Sequence, residues 1–277
     1  MKEWLGKIME HLRRWFADES ARPTLEVFAI TDRGMVRKDN QDSYCSRPER
    51  LFMCVADGMG GGSDGALASR WACEALEAAA CDGGVLPLAQ REAALSAAFA
   101  DVNQRIRTYA KEHGYRTMGT TAVGIIGEET DGMTAAKSML AKIFHVGDSR
   151  AYRCRYGRLD ALTRDHTVGS EMSRALLDGD SEQAKALQSR KNPLSHVLTR
   201  ALGTELKVRP EWKSIDVQRG DRLLFCSDGV HDLLNEACIR DLLVRASSPR
   251  VAAALLESEV RKAGAHDNYT ILCVFVK

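Results

Sequence analysis

Five aspartates stand at the edges of apolar runs far apart in a chain of 277 residues: Asp42, Asp57, Asp148, Asp228 and Asp267. The pattern is clearest in LFMCVADGMGGG, residues 51–62, where an apolar run meets Asp57 and four of the next five residues are glycine. LLFCSDG, residues 223–229, has the same grammar, and FHVGDSR, residues 144–150, again puts Asp148 beside glycine at a strand end. Asp42 closes the polar loop MVRKDNQDS, and Asp267 directly precedes the apolar run YTILCVFV. Taken singly, each Asp is a turn or a helix cap, and Asp-Gly in particular favours tight turns. If all five strand ends lie at one end of a sandwich, they form one acidic cluster instead. Unpaired carboxylates so close raise one another's pKa, so such a cluster calls for cations. Oxygen donors without accompanying histidine or cysteine select hard ions, Mg²⁺ or Mn²⁺, over zinc. Two such ions ~3.5–4 Å apart can share a hydroxide nucleophile for in-line attack on a phosphate ester. Arg37, five residues before Asp42, can add a bidentate fork for phosphate.

The elements that must carry these residues follow from periodicity. Strands are expected near residues 25–30, 51–57, 120–126, 138–146, 207–217, 222–226 and 269–276, with a hairpin over 152–162 that turns at Tyr156-Gly157. Helices are expected at 64–80, opened by Asp64, at 87–113, stopped by Gly114, and at 236–245 and 250–263. Residues 167–193 are polar and broken by Gly179 and Pro193, which suggests two short helices forming a flap. Long helices between β blocks, without regular βαβ alternation, argue for an α+β fold with antiparallel sheets.

Residues 1–16, MKEWLGKIMEHLRRWF, place Trp4, Leu5, Ile8, Leu12 and Trp15 on one helical stripe, followed by a polar linker to Pro23. The domain division is therefore 1–23, an amphipathic appendage, and 24–277, a catalytic domain. The helix either packs on its own domain or a second copy, or docks on a partner, scaffold or membrane surface.

Bulk composition narrows the classes. Hydrophobic content of 44% and charge of 28% are those of an ordinary globular protein. A net charge of +1 gives no bulk attraction to nucleic acid. The eight cysteines contain no CxxC pair and sit mostly in apolar runs, so they are expected to be reduced core residues of a cytoplasmic protein. No apolar run reaches the length of a membrane span, and the charged N-terminus lacks a signal-peptide core.

The motifs TDRGMVRKDNQDS, VADGMGG, MGTTA, HVGDSRAYR, LTRDHT, HVLTRALG, CSDGV and HDNYT occur in this order over residues 25–277. Together they resemble the metal-dependent protein phosphatases of type 2C in their bacterial form. The resemblance implies a four-layer α-β-β-α sandwich, with two central, mainly antiparallel sheets. It also implies hydrolysis of phosphoserine and phosphothreonine in proteins by direct attack of a metal-activated water. Asp57 then bridges two Mn²⁺ or Mg²⁺ ions, the Gly58 carbonyl ligates the first, and Asp228 and Asp267 hold the second. Asp42 counts with the metal set and orients metal-bound water, Arg37 binds phosphate, and Asp148, with Asp228, holds a third, looser ion. The implied partners are phosphorylated proteins and a cognate serine/threonine kinase.

Two positions depart from the family pattern. Met59 and Gly62 stand where relatives carry a loop histidine, so both candidate general acids of that loop are absent; Gln41 replaces a glutamate found in animal members. His231, three residues past Asp228, is the nearest substitute acid, although a surface histidine at a helix start is the more ordinary reading. The missing histidine also leaves open a catalytically impaired relative used as a regulatory module. A third alternative is a phosphoesterase for small molecules or nucleic acid, which the near-zero net charge disfavours.

Overall fold

In the computed structural model, residues 23–60, 64–81, 86–128, 138–176 and 192–277 are described. The predicted helix at 1–16, most of the flap and Gly62 lie outside them. Two antiparallel sheets face each other. The first runs β1 (Leu25–Asp32), β11 (Tyr269–Val276), β10 (Arg222–Cys226), β7 (Arg150–Arg155), β8 (Arg158–Ala161) in spatial order. The second runs β2 (Asp42–Arg47), β3 (Phe52–Gly60), β5 (Ala122–Gly127), β6 (Ser138–Val146), β9 (Glu211–Gln218), with the short β4 (Met118–Thr120) paired to the end of β3.

The uninterrupted apolar character of β3 and β11 has a direct cause, since both faces of each strand are covered. On β3, Phe52, Cys54 and Ala56 lie in the core under the helices, whereas Met53 and Val55 belong to the core between the sheets. On β11, Ile271, Cys273 and Phe275 face helices, and Leu272, Val274 and Val276 face the opposing sheet. The period-2 alternation of strands thus divides three apolar cores among two sheets. Helices α1 (Asp64–Cys81) and α2 (Leu88–His113) cover the second sheet, and α5 (Glu236–Arg245) and α6 (Pro249–Lys262) cover the first. The result is the expected α-β-β-α sandwich. Two short helices, α3 (Val168–Ala175) and α4 (Asp228–His231), sit at its edge, and α3 is the described part of the flap region.

Four local expectations change. MVRKDNQDS gives way to a strand, β2, which begins at Asp42 and pairs in register with β3 so that Asp42 faces Asp57. Asp57-Gly58 is no turn: β3 continues to Gly60 because β4 pairs with Gly58, Met59 and Gly60. The single strand expected at 120–126 is broken at Thr121, and β9 begins at Glu211 instead of near Lys207. The hairpin turn is as predicted, with Tyr156 and Gly157 both at positive φ (52° and 77°), the geometry of a two-residue hairpin loop.

Candidate metal centre

The turns and strand ends at one end of the sandwich bring the five aspartates together. Asp42 starts β2 and Asp57 lies opposite it on β3. Asp148 sits in the turn after β6, Asp228 opens α4 directly after β10, and Asp267 precedes β11. Four of the carboxylates thus stand where a strand begins or ends, and the fifth, Asp57, stands within β3 opposite the first residue of β2.

Four of these carboxylates, Asp42, Asp57, Asp148 and Asp228, are held far from their ordinary protonation behaviour. Burial raises Asp57 well above the usual range, and the charges of Asp42, Asp228 and Asp148 add to the effect. Asp148 is raised for the same reasons, burial first and Asp228 next. Burial pushes Asp228 up to about 7, with Asp232, Asp267 and Asp42 as the neighbouring charges, and pushes Asp42 up to about 6. Such mutual destabilisation is what a polyvalent cation relieves. Asp42 adds a second sign, because its buried Oδ1 has no hydrogen-bond partner among the described residues. An oxygen-only donor set with one orphaned buried oxygen fits Mn²⁺ or Mg²⁺.

A layer of small polar side chains orients this set. Asp42 Oδ2 accepts hydrogen bonds from Ser227 Oγ (2.6 Å) and Thr270 Oγ1 (2.8 Å), and the Thr270 amide donates to Ser227 Oγ (2.9 Å). Thr121 Oγ1 accepts from the Asp57 amide (3.0 Å) and also meets Ser149 Oγ (2.7 Å). Asn268 ties the loop of residues 33–41 to the same corner: its Nδ2 donates to the carbonyls of Arg33 and Asp39, both at 2.9 Å, and its Oδ1 accepts from the Gln41 amide at 2.9 Å. Sequence reasoning gave Ser227, Thr121, Asn268 and Thr270 no roles. The available signal was a small polar residue near each aspartate, within the same short motifs.

Gly58 is required by close approach. A Cβ there would lie 2.0 Å from the Gly65 carbonyl oxygen and 2.6 Å from that of Gln41. Only hydrogen fits between β3 and the start of α1.

Arg37 lies on the exposed loop above the cluster, its Nη2 2.7 Å from Asp267 Oδ2, and more than half of its side chain is exposed. Its pKa is raised first by the Asp267 hydrogen bond, with Asp228 and Asp57 contributing charge. It therefore reaches the cluster while staying largely exposed to solvent.

His231 is not the surface histidine that its helix position suggested. It is 2% exposed, Nε2 donates to the Asp148 carbonyl (3.1 Å), and Nδ1 stands 3.4 Å from Asp232 Oδ1. Burial lowers its pKa and keeps the ring neutral. Its role is to anchor the backbone at Asp148.

Asp148 opens onto a cleft of about 520 Å³ that Arg150, Asp165, Thr167, His196 and Asp232 also line. Arg150 is locked to Asp165 by two hydrogen bonds, 2.8 and 2.6 Å. Farther along, His145, His166 and Glu211 cluster, but the two imidazoles are stacked at 4.4 Å with planes 9° apart. A metal must lie in the plane of each imidazole it binds, so this arrangement cannot direct both rings at one ion.

Comparison with known proteins decides the family. The family model described as "Protein phosphatase 2C" matches residues 31–259. The chain belongs to the protein phosphatase 2C family. The serine/threonine phosphatase Stp of Listeria welshimeri is 33% identical over 249 residues, covering 88% of this chain and 93% of that protein. Among solved structures, PppA, described as a regulatory component of the type VI secretion system in Pseudomonas aeruginosa, has a TM-score of 0.79 at 29% identity, covering 92% of this chain and 99% of that one. The catalytic domain of the phosphatase PstP, solved with two manganese ions, has a TM-score of 0.74 at 28% identity, covering 92% of this chain and 99% of that one. This phosphatase 2C is a metal-dependent protein serine/threonine phosphatase of bacterial type. Among the described residues, no helix is long and apolar enough to cross a membrane.

Proposed function

We propose that Asp57, the Gly58 carbonyl, Asp228 and Asp267 hold two Mn²⁺ or Mg²⁺ ions, with Asp57 between them, and that Asp148 joins Asp228 at a third, looser site. The observation that carries this reading is the group of buried, mutually raised carboxylates around Asp57, with Asp42 Oδ1 left unpartnered. Bound ions supply positive charge to neutralise the carboxylates and the phosphoryl oxygens, and they acidify water.

The protein's own groups do the rest. Ser227 and Thr270 fix one oxygen of Asp42, which leaves Oδ1 to accept a proton or hydrogen bond from the attacking water. Arg37 releases Asp267 and presents its fork to the substrate phosphoryl group. The neutral His231 commits its Nε2 proton to Asp148, so it does not protonate the leaving group. With Met59 and Gly62 in place of histidine, that proton comes from solvent in the site. The cleft beside Asp148 accommodates the phosphoprotein chain flanking the phosphorylated residue.

The test is Asp57→Asn and Asp228→Asn, each assayed on a phosphothreonine peptide across a Mn²⁺ titration. Each variant is expected to lose turnover by at least about 10³-fold while retaining its circular dichroism spectrum. Near-normal activity of either variant at saturating Mn²⁺ overturns the assignment.

The physiological partners in this reading are a serine/threonine kinase and its substrates in the cytoplasm, in keeping with eight free thiols. Residues 1–16 are the docking segment. Deleting residues 1–22 should leave peptide turnover unchanged and alter cellular distribution or the phosphoproteins processed. An unchanged distribution and unchanged substrate range count against docking.

A further inference from the structure

Three of the eight cysteines meet outside the carboxylate site. Cys45 on β2 is paired in register with Cys54 on β3, and Cys73 on α1 closes over both. The three sulfurs lie within 4.8 Å of one another, although they come from three separate elements. Cys54 is fully buried, Cys73 is 5% exposed and Cys45 is 9% exposed. Cys45 Sγ also lies 3.5 Å from the Cys73 carbonyl oxygen, close enough to donate a weak sulfhydryl hydrogen bond.

Ordinary core packing explains buried cysteines one at a time. It does not require three thiols to share one point, and the surroundings define what that point could bind. The thiols belong to the apolar core under α1 together with Phe52, Ala56, Ala72 and Leu76. These residues offer no fourth ligand, which disfavours four-coordinate zinc. The charged neighbour sensed by all three thiols is Glu77, which is itself 2.9 Å from Arg47. Three thiolates around a monovalent or divalent ion would leave net negative charge in this apolar setting, at high cost. A trivalent, thiophilic, three-coordinate centre leaves none. Three sulfurs bonded to one such atom at about 2.3 Å lie roughly 3.5–4 Å apart, so the sulfurs need only small movements to close on it.

We propose that Cys45, Cys54 and Cys73 form a binding site for a trivalent thiophilic metalloid of the arsenic(III) class. With arsenous acid, As(OH)₃, three As–O bonds break and three As–S bonds form. Each hydroxide leaves as water with one thiol proton, and nothing is oxidised or reduced. The complex is neutral, as its surroundings require. It also clamps β2, β3 and α1 together about 10 Å along the strands from the Asp42–Asp57 pair, three residues away on each strand. The site is independent of the carboxylate ligands, and its occupancy can be read without phosphatase activity.

The test incubates the full-length protein with arsenite, with a phosphine as reductant so that no added thiol competes. Native mass spectrometry should show one adduct per chain, one arsenic gained for three hydrogens lost. Prolonged iodoacetamide labelling followed by peptide mapping, compared with and without arsenite, should show labelling of Cys45, Cys54 and Cys73 slowed together by arsenite. Cys73→Ala, which suits a helix, and Cys54→Val should each weaken binding at least tenfold, whereas Cys226→Ala should bind as wild type. If one variant fails to fold, the mapping on wild-type protein still decides. Absence of a native adduct, an adduct that survives in folded Cys73→Ala at wild-type affinity, or arsenite-dependent protection of other cysteines instead overturns the proposal.

Discussion

The raised carboxylates make metal affinity steeply pH-dependent, and the size of the effect can be worked from the site. Metal binding is favoured by full negative charge in the site, so the protons held by the ligand Asp228, at about 7, and by its buried neighbour Asp42, at about 6, must leave first. At pH 7.5 roughly three-quarters of Asp228 and nearly all of Asp42 are ionised; at pH 5.5 only about 3% and about a quarter are. Treated as independent, the two groups lower the apparent Mn²⁺ affinity by about a hundredfold over those two pH units. Asp57 and Asp148, also raised, steepen the fall.

The same shifts set the stability of the metal-free protein, with the opposite sign from a salt-bridged carboxylate. A folded pKa above the unfolded value of 3.8 means the folded state holds extra protons between about pH 4 and pH 7. Stability of the chelated protein therefore falls as pH rises through that window, as Asp42 and Asp228 lose their protons and the carboxylates repel. Mn²⁺ should restore most stability at the alkaline end. Calorimetric titration of chelated protein with Mn²⁺ at pH 5.5 and 7.5, in buffers of different ionisation enthalpy, reads both the affinity and the protons released. Equal affinity at the two pH values, or binding without proton release at pH 6.5, refutes the electrostatic account of the cluster.

Two substitutions probe the supports of the site. His231→Gln keeps a donor where Nε2 meets the Asp148 carbonyl, so turnover should stay within about threefold of wild type, whereas His231→Ala should lose about 2–4 kcal/mol of stability in urea unfolding. Equal loss of turnover in well-folded samples of both variants would instead make His231 a proton donor. Gly58→Ala forces a methyl group against the Gly65 and Gln41 carbonyls and should destabilise by about 3 kcal/mol. Unfolding at the wild-type urea midpoint would show that β3 and α1 can part there without cost.

What the sequence made legible depends on whether the deciding interaction is local. β3 and β11 were visible because strands buried on both faces are continuously apolar, and the Tyr156-Gly157 turn because two positive φ angles are written into the dipeptide. The five aspartates were visible as a recurring strand-end pattern whose convergence needed only a common sheet end. β2 was hidden because it is an edge strand whose buried residues are Asp42 and Cys45, so half of its inward signal is the functional carboxylate itself. The glycines after Asp57 suggested a turn because the partner strand β4 lies some sixty residues away, and pairing across that distance leaves no mark on the dipeptide. His231 was misplaced for the same reason. The last residue of a four-residue helix is ordinarily exposed, yet the carbonyl this buried ring donates to belongs to Asp148, 83 residues earlier. The errors therefore fall where one carboxylate-bearing turn braces another. A cluster of like charges brought together by five strand ends needs such cross-bracing, and Ser227, Thr121, Asn268, Thr270 and His231 provide it. Their substitution should affect the geometry of the carboxylates before it affects the fold.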